Sequence, residues 1–269
     1  MLSETQIEQY FEDGYVIPDY RIPEETIIAI QDRHNELLVS HPEFRDYCPA
    51  ILQYDEGFAD FCRNKEILDM VEQLIGPDIA LWNSSFFAKP AGNGKATPWH
   101  QDGEYWPIRP LATCTVWVAV DDATRENGCL RIIKGSHKEK RLFEHKTNPS
   151  TDLTLNQELL TTEFDESKAV DLVLERGQIS LHDVFLAHGS EPNTSSKSRR
   201  GMTMRFMPMT SIFDHQLARE QYKNMSRADL EVFTDVSNPT FFLQKNTFYI
   251  STYRQSLIHI SEPTRPRLI

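Results

Sequence analysis

Ile79-Ala80-Leu81-Trp82-Asn83-Ser84-Ser85-Phe86-Phe87 is the first of a series of short β-rich runs. Further runs follow at 113–120, 130–133, 170–174, 178–181 and 202–208. Turn residues separate them, and no helix-length periodic stretch interrupts them for about a hundred residues. Short runs of this kind pair into sheets, and their number predicts two facing sheets closed into a jelly-roll barrel.

Upstream of Pro77 the texture is helical. Ser3-Glu4-Thr5-Gln6 has the capping-box pattern, with Ile7, Tyr10 and Phe11 at helical spacing, so a helix is expected near 4–12 with Gly14 as its stop. Tyr15-Val16-Ile17 reads as a short strand. Pro23 opens a second helix carrying Ile27, Ile28, Ile30 and Leu37, and residues 65–75, closed by Gly76-Pro77, form a third. Residues 138–168 are polar and acidic without strong periodicity and read as a surface excursion or lid. Residues 211–235 read as helical, with 216–222 and 227–233 as the periodic parts.

The expected class is mainly β with flanking helices (α+β). One domain is expected over residues 1–255, with a helical part at 1–76, a jelly-roll core at about 77–210 and a second helical part at 211–255. Ser256-Leu-Ile-His-Ile-Ser-Glu-Pro-Thr-Arg265 resembles the translation of an adapter used in sequencing libraries. Residues 256–269 are therefore expected to be a non-native tail replacing the natural C-terminus, and His259 is not a ligand candidate.

The chain has 269 residues, 39% hydrophobic and 25% charged, an ordinary globular composition that suits one large domain. Its formal charge of −12 repels phosphate backbones and anionic lipid, so nucleic acid and membrane are poor partners and a small molecule is expected. Cys48, Cys62, Cys114 and Cys129 are widely spaced, without a CxxC pair, and read as reduced, buried thiols. No charged start leads into an apolar signal segment, and no run approaches the roughly 18 apolar residues of a membrane span, so a cytoplasmic location is expected.

The chemistry is concentrated in His100-Gln101-Asp102, His188 and, eleven residues later, Arg199. In an extended segment alternate side chains share a face, so His100 and Asp102 can grip one metal while Gln101 points away. Two imidazoles and a carboxylate leave other positions on a metal open, the arrangement of non-haem Fe(II) oxygenases. Four histidines compete for the third place. His188 follows the strand-like 178–181 and has Arg199 at a distance that sets a cation on the next strand; His182 has Asn193 at that offset. His137 reads as closing a turn, and His145 sits in the charged excursion.

Five segments occur in one order: Trp99-His100-Gln101-Asp102-Gly103, Trp117-Val118-Ala119-Val120-Asp121-Asp122, Glu126-Asn127-Gly128-Cys129-Leu130, Lys134-Gly135-Ser136-His137-Lys138 and His188-Gly189-Ser190. In these motifs the chain resembles the phytanoyl-CoA dioxygenase family over roughly residues 5–210. The resemblance implies a double-stranded β-helix (jelly-roll, cupin-like) core with helices packed on one side. It implies Fe(II) held by His100, Asp102 and His188, and 2-oxoglutarate as co-substrate with its distal carboxylate on Arg199. Gln101, Trp117 and Ser190 match further residues of the co-substrate pocket. The reaction implied consumes O2, releases succinate and CO2 and hydroxylates a carbon centre, with ascorbate as a supportive reductant.

A guanidinium suits the distal carboxylate because it presents a bidentate fork and stays protonated. Asp102 favours hydroxylation over halogenation, since related halogenases have a small residue there that leaves room for chloride. Glu104, Tyr105, Trp106 and Arg109 are candidates to shape the substrate entrance, and Lys89, Lys95 and Arg109 are the basic residues near the mouth. Arg200 reads as a solvated charge. Two other readings are a catalytically silent jelly-roll protein that binds a metabolite or metal, and a zinc hydrolase, which lacks the nearby general base it needs.

Overall fold

A computed structural model describes residues 1–221 and 248–251. Ser3 closes the capping box of helix α1 (Glu4–Asp13): its hydroxyl accepts from the Gln6 N–H, and the Gln6 side chain accepts from the Ser3 N–H. Gly14 ends the helix at φ 87, and a Cβ there would meet the His137 ring and Leu186. Strand β1 (Tyr15–Val16), helix α2 (Glu24–Ser40), strand β2 (Tyr47–Cys48), helix α3 (Phe58–Phe61) and helix α4 (Lys65–Ile75) complete the first quarter.

The strands follow as β3 (Asp78–Lys89), β4 (Thr97–His100), β5 (Ile108–Arg109), β6 (Cys114–Ala119), β7 (Leu130–Ile133), β8 (His145–Thr147), β9 (Gln157–Leu159), β10 (Ala169–Leu172), β11 (Ile179–Asp183), β12 (His188–Ser190), β13 (Arg199–Pro208) and β14 (Ile212–Phe213). Helix α5 (His215–Gln221) and strand β15 (Phe248–Ser251) come last. The larger sheet runs β1-β11-β6-β13-β3-β15, with β2 also paired to β3; the smaller runs β10-β7-β12-β4. All the ladders are antiparallel. Side chains from both sheets line one cavity, so the two face each other as jelly-roll halves.

Alternation along β13 explains the layering. Met202, Met204 and Phe206 enter the main core with Val116 and Val118 of β6 and Ile27, Ile30, Ile67 and Met70 of the helices. Burying each such side chain stabilises the fold by about 1.5–3 kcal/mol. The intervening Arg199, Thr203 and Arg205 face the cavity. The helices therefore cover the outer face of the larger sheet and leave its inner face to the site.

Helices and strands read from the sequence appear within one to three residues of their expected ends, but some elements differ. Residues 138–168 contain the β8–β9 hairpin, and Phe143 and Leu159 are buried with Ile133 and Ala187, so this segment packs rather than running free over the surface. In the expected helical part at 211–255, Ile212–Phe213 pairs with β5, and Phe248–Ser251 adds a strand beside β3, whose edge offers unpaired backbone groups. The periodic segment 227–233 and the tail from Ser256 lie outside the described residues. Among the described residues no helix is long and apolar enough to cross a membrane.

Candidate metal and co-substrate site

His100 and His188 are directly opposed partners on β4 and β12. Their rings lie 4.1 Å apart between centroids. Gln101 is extended, at φ −115 and ψ 131, so Asp102 returns to the face of His100 before a short 3-10 turn begins. Asp102 Oδ1 is 3.9 Å from His100 Nε2 and 4.0 Å from His188 Nε2. One ligand atom from each of the three lies within 4.8 Å of the others, a spacing that fits a single metal ion.

The ring orientations suit that use. His100 Nδ1 lies 2.8 Å from the Pro98 carbonyl and His188 Nδ1 2.8 Å from the Leu186 carbonyl. A carbonyl only accepts, so each Nδ1 carries the proton and each Nε2 presents a lone pair to the cavity. Burial pushes His100 down to about 4 and His188 well below the usual histidine range. Both rings are then neutral and able to ligate at physiological pH. Burial alone raises Asp102, but Arg205 and the surrounding imidazoles outweigh it and hold the carboxyl well below its usual range. Thr115 donates its hydroxyl to Asp102 Oδ2 at 2.8 Å, which leaves Oδ1 toward the histidines.

Arg199 lies on the same wall of the cavity, 2% exposed. Its Nε donates to the Gly128 carbonyl and its Nη1 to the Phe87 carbonyl, while the guanidinium packs 5.5 Å over the Trp117 ring. Burial brings Arg199 down to about 10, so it remains a cation. No carboxylate of the described residues pairs with it. A Cβ at Gly201 would fall 2.3 Å from the Trp117 indole, so a side chain here would displace that ring. Thr97, Leu130 and Ser190 also line the cavity.

Gln101 is fully buried but turned away from the cavity. Its Nε2 donates to the Arg141 and Phe185 carbonyls, and its Oε1 accepts from the Phe143 N–H. The residue thus ties the excursion to the loop before β12. His145 and His137 also lie apart from the triad, with His145 Nε2 accepting from the Gln101 N–H and His137 against the Phe11 carbonyl. Lys89 is 1% exposed with its ammonium on the Lys95 carbonyl, and burial with Arg199 nearby pushes it down to about 6, so it does not line the mouth. Arg200 is held by Asp121 through two hydrogen bonds of 2.8 Å rather than by solvent. All four cysteines are free and buried.

Thr115 and Arg205 stand outside the sequence motifs and His182 enters there only as a rival third ligand, yet all three line the cavity. His182 Nε2 is 3.5 Å from Asp102 Oδ2, and Arg205 Nε is 3.8 Å from the same oxygen. His182, Thr115 and Arg205 are register partners across β11, β6 and β13, forming one row opposite Asp102. The period of two counted from Arg199 reaches Arg205 and was the available signal.

Comparison with known proteins places the chain among similar sequences and folds. A family model described as Phytanoyl-CoA dioxygenase (PhyH) matches residues 10–201. The human peroxisomal phytanoyl-CoA dioxygenase is 33% identical over 161 residues, covering 57% of this chain and 47% of that protein. A probable alpha-ketoglutarate-dependent hypophosphite dioxygenase of Stutzerimonas stutzeri is 28% identical over 149 residues, covering 55% of this chain and 51% of that protein. The chain thus spans about half the length of these curated relatives. Among solved structures, the apo form of the non-heme monooxygenase ThoJ superposes with a TM-score of 0.66 at 25% identity, over 78% of this chain and 79% of that one.

Proposed function

This chain belongs to the phytanoyl-CoA dioxygenase family, and from that premise we propose that it is an Fe(II)- and 2-oxoglutarate-dependent dioxygenase that hydroxylates a small molecule. The carrying observation is a pairing of features in one cavity: a two-histidine, one-carboxylate cluster and, beyond it, a buried arginine to which no described carboxylate is paired. An uncompensated buried cation is costly, and a dianionic co-substrate that also chelates the metal satisfies both features at once.

In this reading His100 Nε2, His188 Nε2 and Asp102 Oδ1 hold the iron. Arg199 binds the distal carboxylate of 2-oxoglutarate, with Trp117 beneath the guanidinium and Ser190 adding a hydroxyl donor. Thr115 orients Asp102. Gln101 is a positioning residue that anchors the excursion rather than a co-substrate contact. Bound ferrous iron supplies the redox chemistry that couples decarboxylation of 2-oxoglutarate and reduction of O2 to substrate oxidation. The chain itself contributes position and a largely buried cavity. The carboxylate of Asp102 occupies the place a halide would need, which favours hydroxylation. The unit is one domain extending to about residue 255, and four unbridged cysteines support a cytoplasmic location.

The test is succinate release from purified protein supplied with Fe(II), ascorbate, 2-oxoglutarate and oxygen. Slow release is expected without primary substrate, and none from Asp102→Ala. Equal release from that variant overturns the reading.

A further inference from the structure

We propose that Arg205 receives a carboxylate of the primary substrate, so that the molecule oxidised is an organic acid with an apolar body; this rests on the dioxygenase reading for the other occupants of the cavity. Arg199 and Arg205 share the inward face of β13, six residues apart, or about 20 Å along an extended strand. Arg199 marks the co-substrate end, and Arg205 lies beside the triad at the other.

Arg205 is 5% exposed. Among the described residues its hydrogen bonds run through Nη1 alone, to Ser85 Oγ and Thr203 Oγ1, both at 2.7 Å. Nε is buried with no partner. The one described carboxylate near it is Asp102, at 3.8 Å, beyond hydrogen-bond reach, and the facing oxygen already accepts from Thr115. The two hydroxyls pin one corner of the guanidinium and leave the Nε edge as a fixed fork, the geometry that matches a carboxylate. Phe87 and Trp106 flank the guanidinium at 5.9 and 5.3 Å, so the group entering between them has apolar walls.

Charge leads to the same class. Two arginines and a divalent ion outweigh Asp102 and a dianionic co-substrate by one positive charge. In a buried cavity that excess is stabilised by an anion on the substrate. A counterion role toward Asp102 alone leaves the excess in place.

Benzoate and its neutral counterpart benzamide test the assignment. Each is titrated into the full chain holding Zn(II) and N-oxalylglycine, which fill the triad and the Arg199 end, while arginine Nε–H resonances are followed by NMR. Benzoate is expected to shift the Arg205 resonance and to bind at least about tenfold more tightly than benzamide. In Arg205→Lys the preference collapses while N-oxalylglycine affinity is retained. Should that variant lose N-oxalylglycine binding, Ser85→Ala replaces it, with a smaller loss confined to benzoate. Equal or absent binding of the two probes by the wild type, or a preference that survives substitution, overturns the proposal. Arg205-dependent benzoate binding in a protein that releases no succinate sinks the dioxygenase reading and leaves the anion site standing; succinate release without that binding sinks this inference alone.

Discussion

His100 and His188 face each other across one rung of the β4–β12 ladder, and each commits its Nδ1 to the carbonyl two residues before it. Two imidazoles are thereby fixed in tautomer and direction by backbone alone, so the cavity is shaped for a ligand before one arrives. Preorganisation of this kind is what a metal site needs from its protein.

The first expectation concerns that metal. His188→Ala removes one of three ligand atoms and should weaken Fe(II) binding by at least about 100-fold, whereas Thr115→Val, which only frees Asp102 to turn, should cost about 10- to 100-fold. Equilibrium metal titration reads both. Near-wild-type affinity in His188→Ala would move the third ligand elsewhere, with His182 the nearest replacement.

Arg199 should act on co-substrate rather than metal. Arg199→Ala is expected to raise the 2-oxoglutarate KM by about 100-fold or more, a loss of about 3 kcal/mol, with Fe(II) affinity unchanged. Steady-state succinate kinetics at varied 2-oxoglutarate measure it, and an unaltered KM would place the distal carboxylate on another group.

Gln101→Leu tests an anchoring role. The substitution strands the Phe143 N–H and the Arg141 and Phe185 carbonyls in a buried setting. A loss of about 2–4 kcal/mol in denaturant unfolding is expected, with faster proteolytic nicking between residues 138 and 168. A large rise in 2-oxoglutarate KM without loss of stability would instead restore Gln101 as a direct co-substrate contact.

Acid should destabilise the metal-free protein through buried imidazoles. His34 stacks on Phe86 at 3.9 Å with both ring nitrogens unpartnered, and burial holds it and His100 down to about 4 from an ordinary 6.5. Both are neutral in the fold, and the unfolded chain binds their protons first as the pH falls. Their contribution is therefore fully present above about 6.5 and is lost as the pH falls through about 4, up to ~3 kcal/mol for each. Unfolding measured with chelator between pH 7.5 and 4 should show the decline, shallower in His34→Phe, which keeps the stacked ring. A flat profile would mean these rings are hydrated.

Features legible along the chain are local or short-ranged. Capping, period and turn residues place α1, α2, α4 and most strands, because these depend on neighbours a few positions away. The His100 and Asp102 pair is legible for the same reason, since an extended backbone fixes their common face. Tertiary structure decided what register controls. It set His188, not His145 or His137, opposite His100; it turned Gln101 into the anchor of the excursion and aligned His182, Thr115 and Arg205 in one row facing Asp102. Those outcomes depend on which residues meet across strands dozens of positions apart, and a slip of one residue would send each side chain to the opposite face of its sheet.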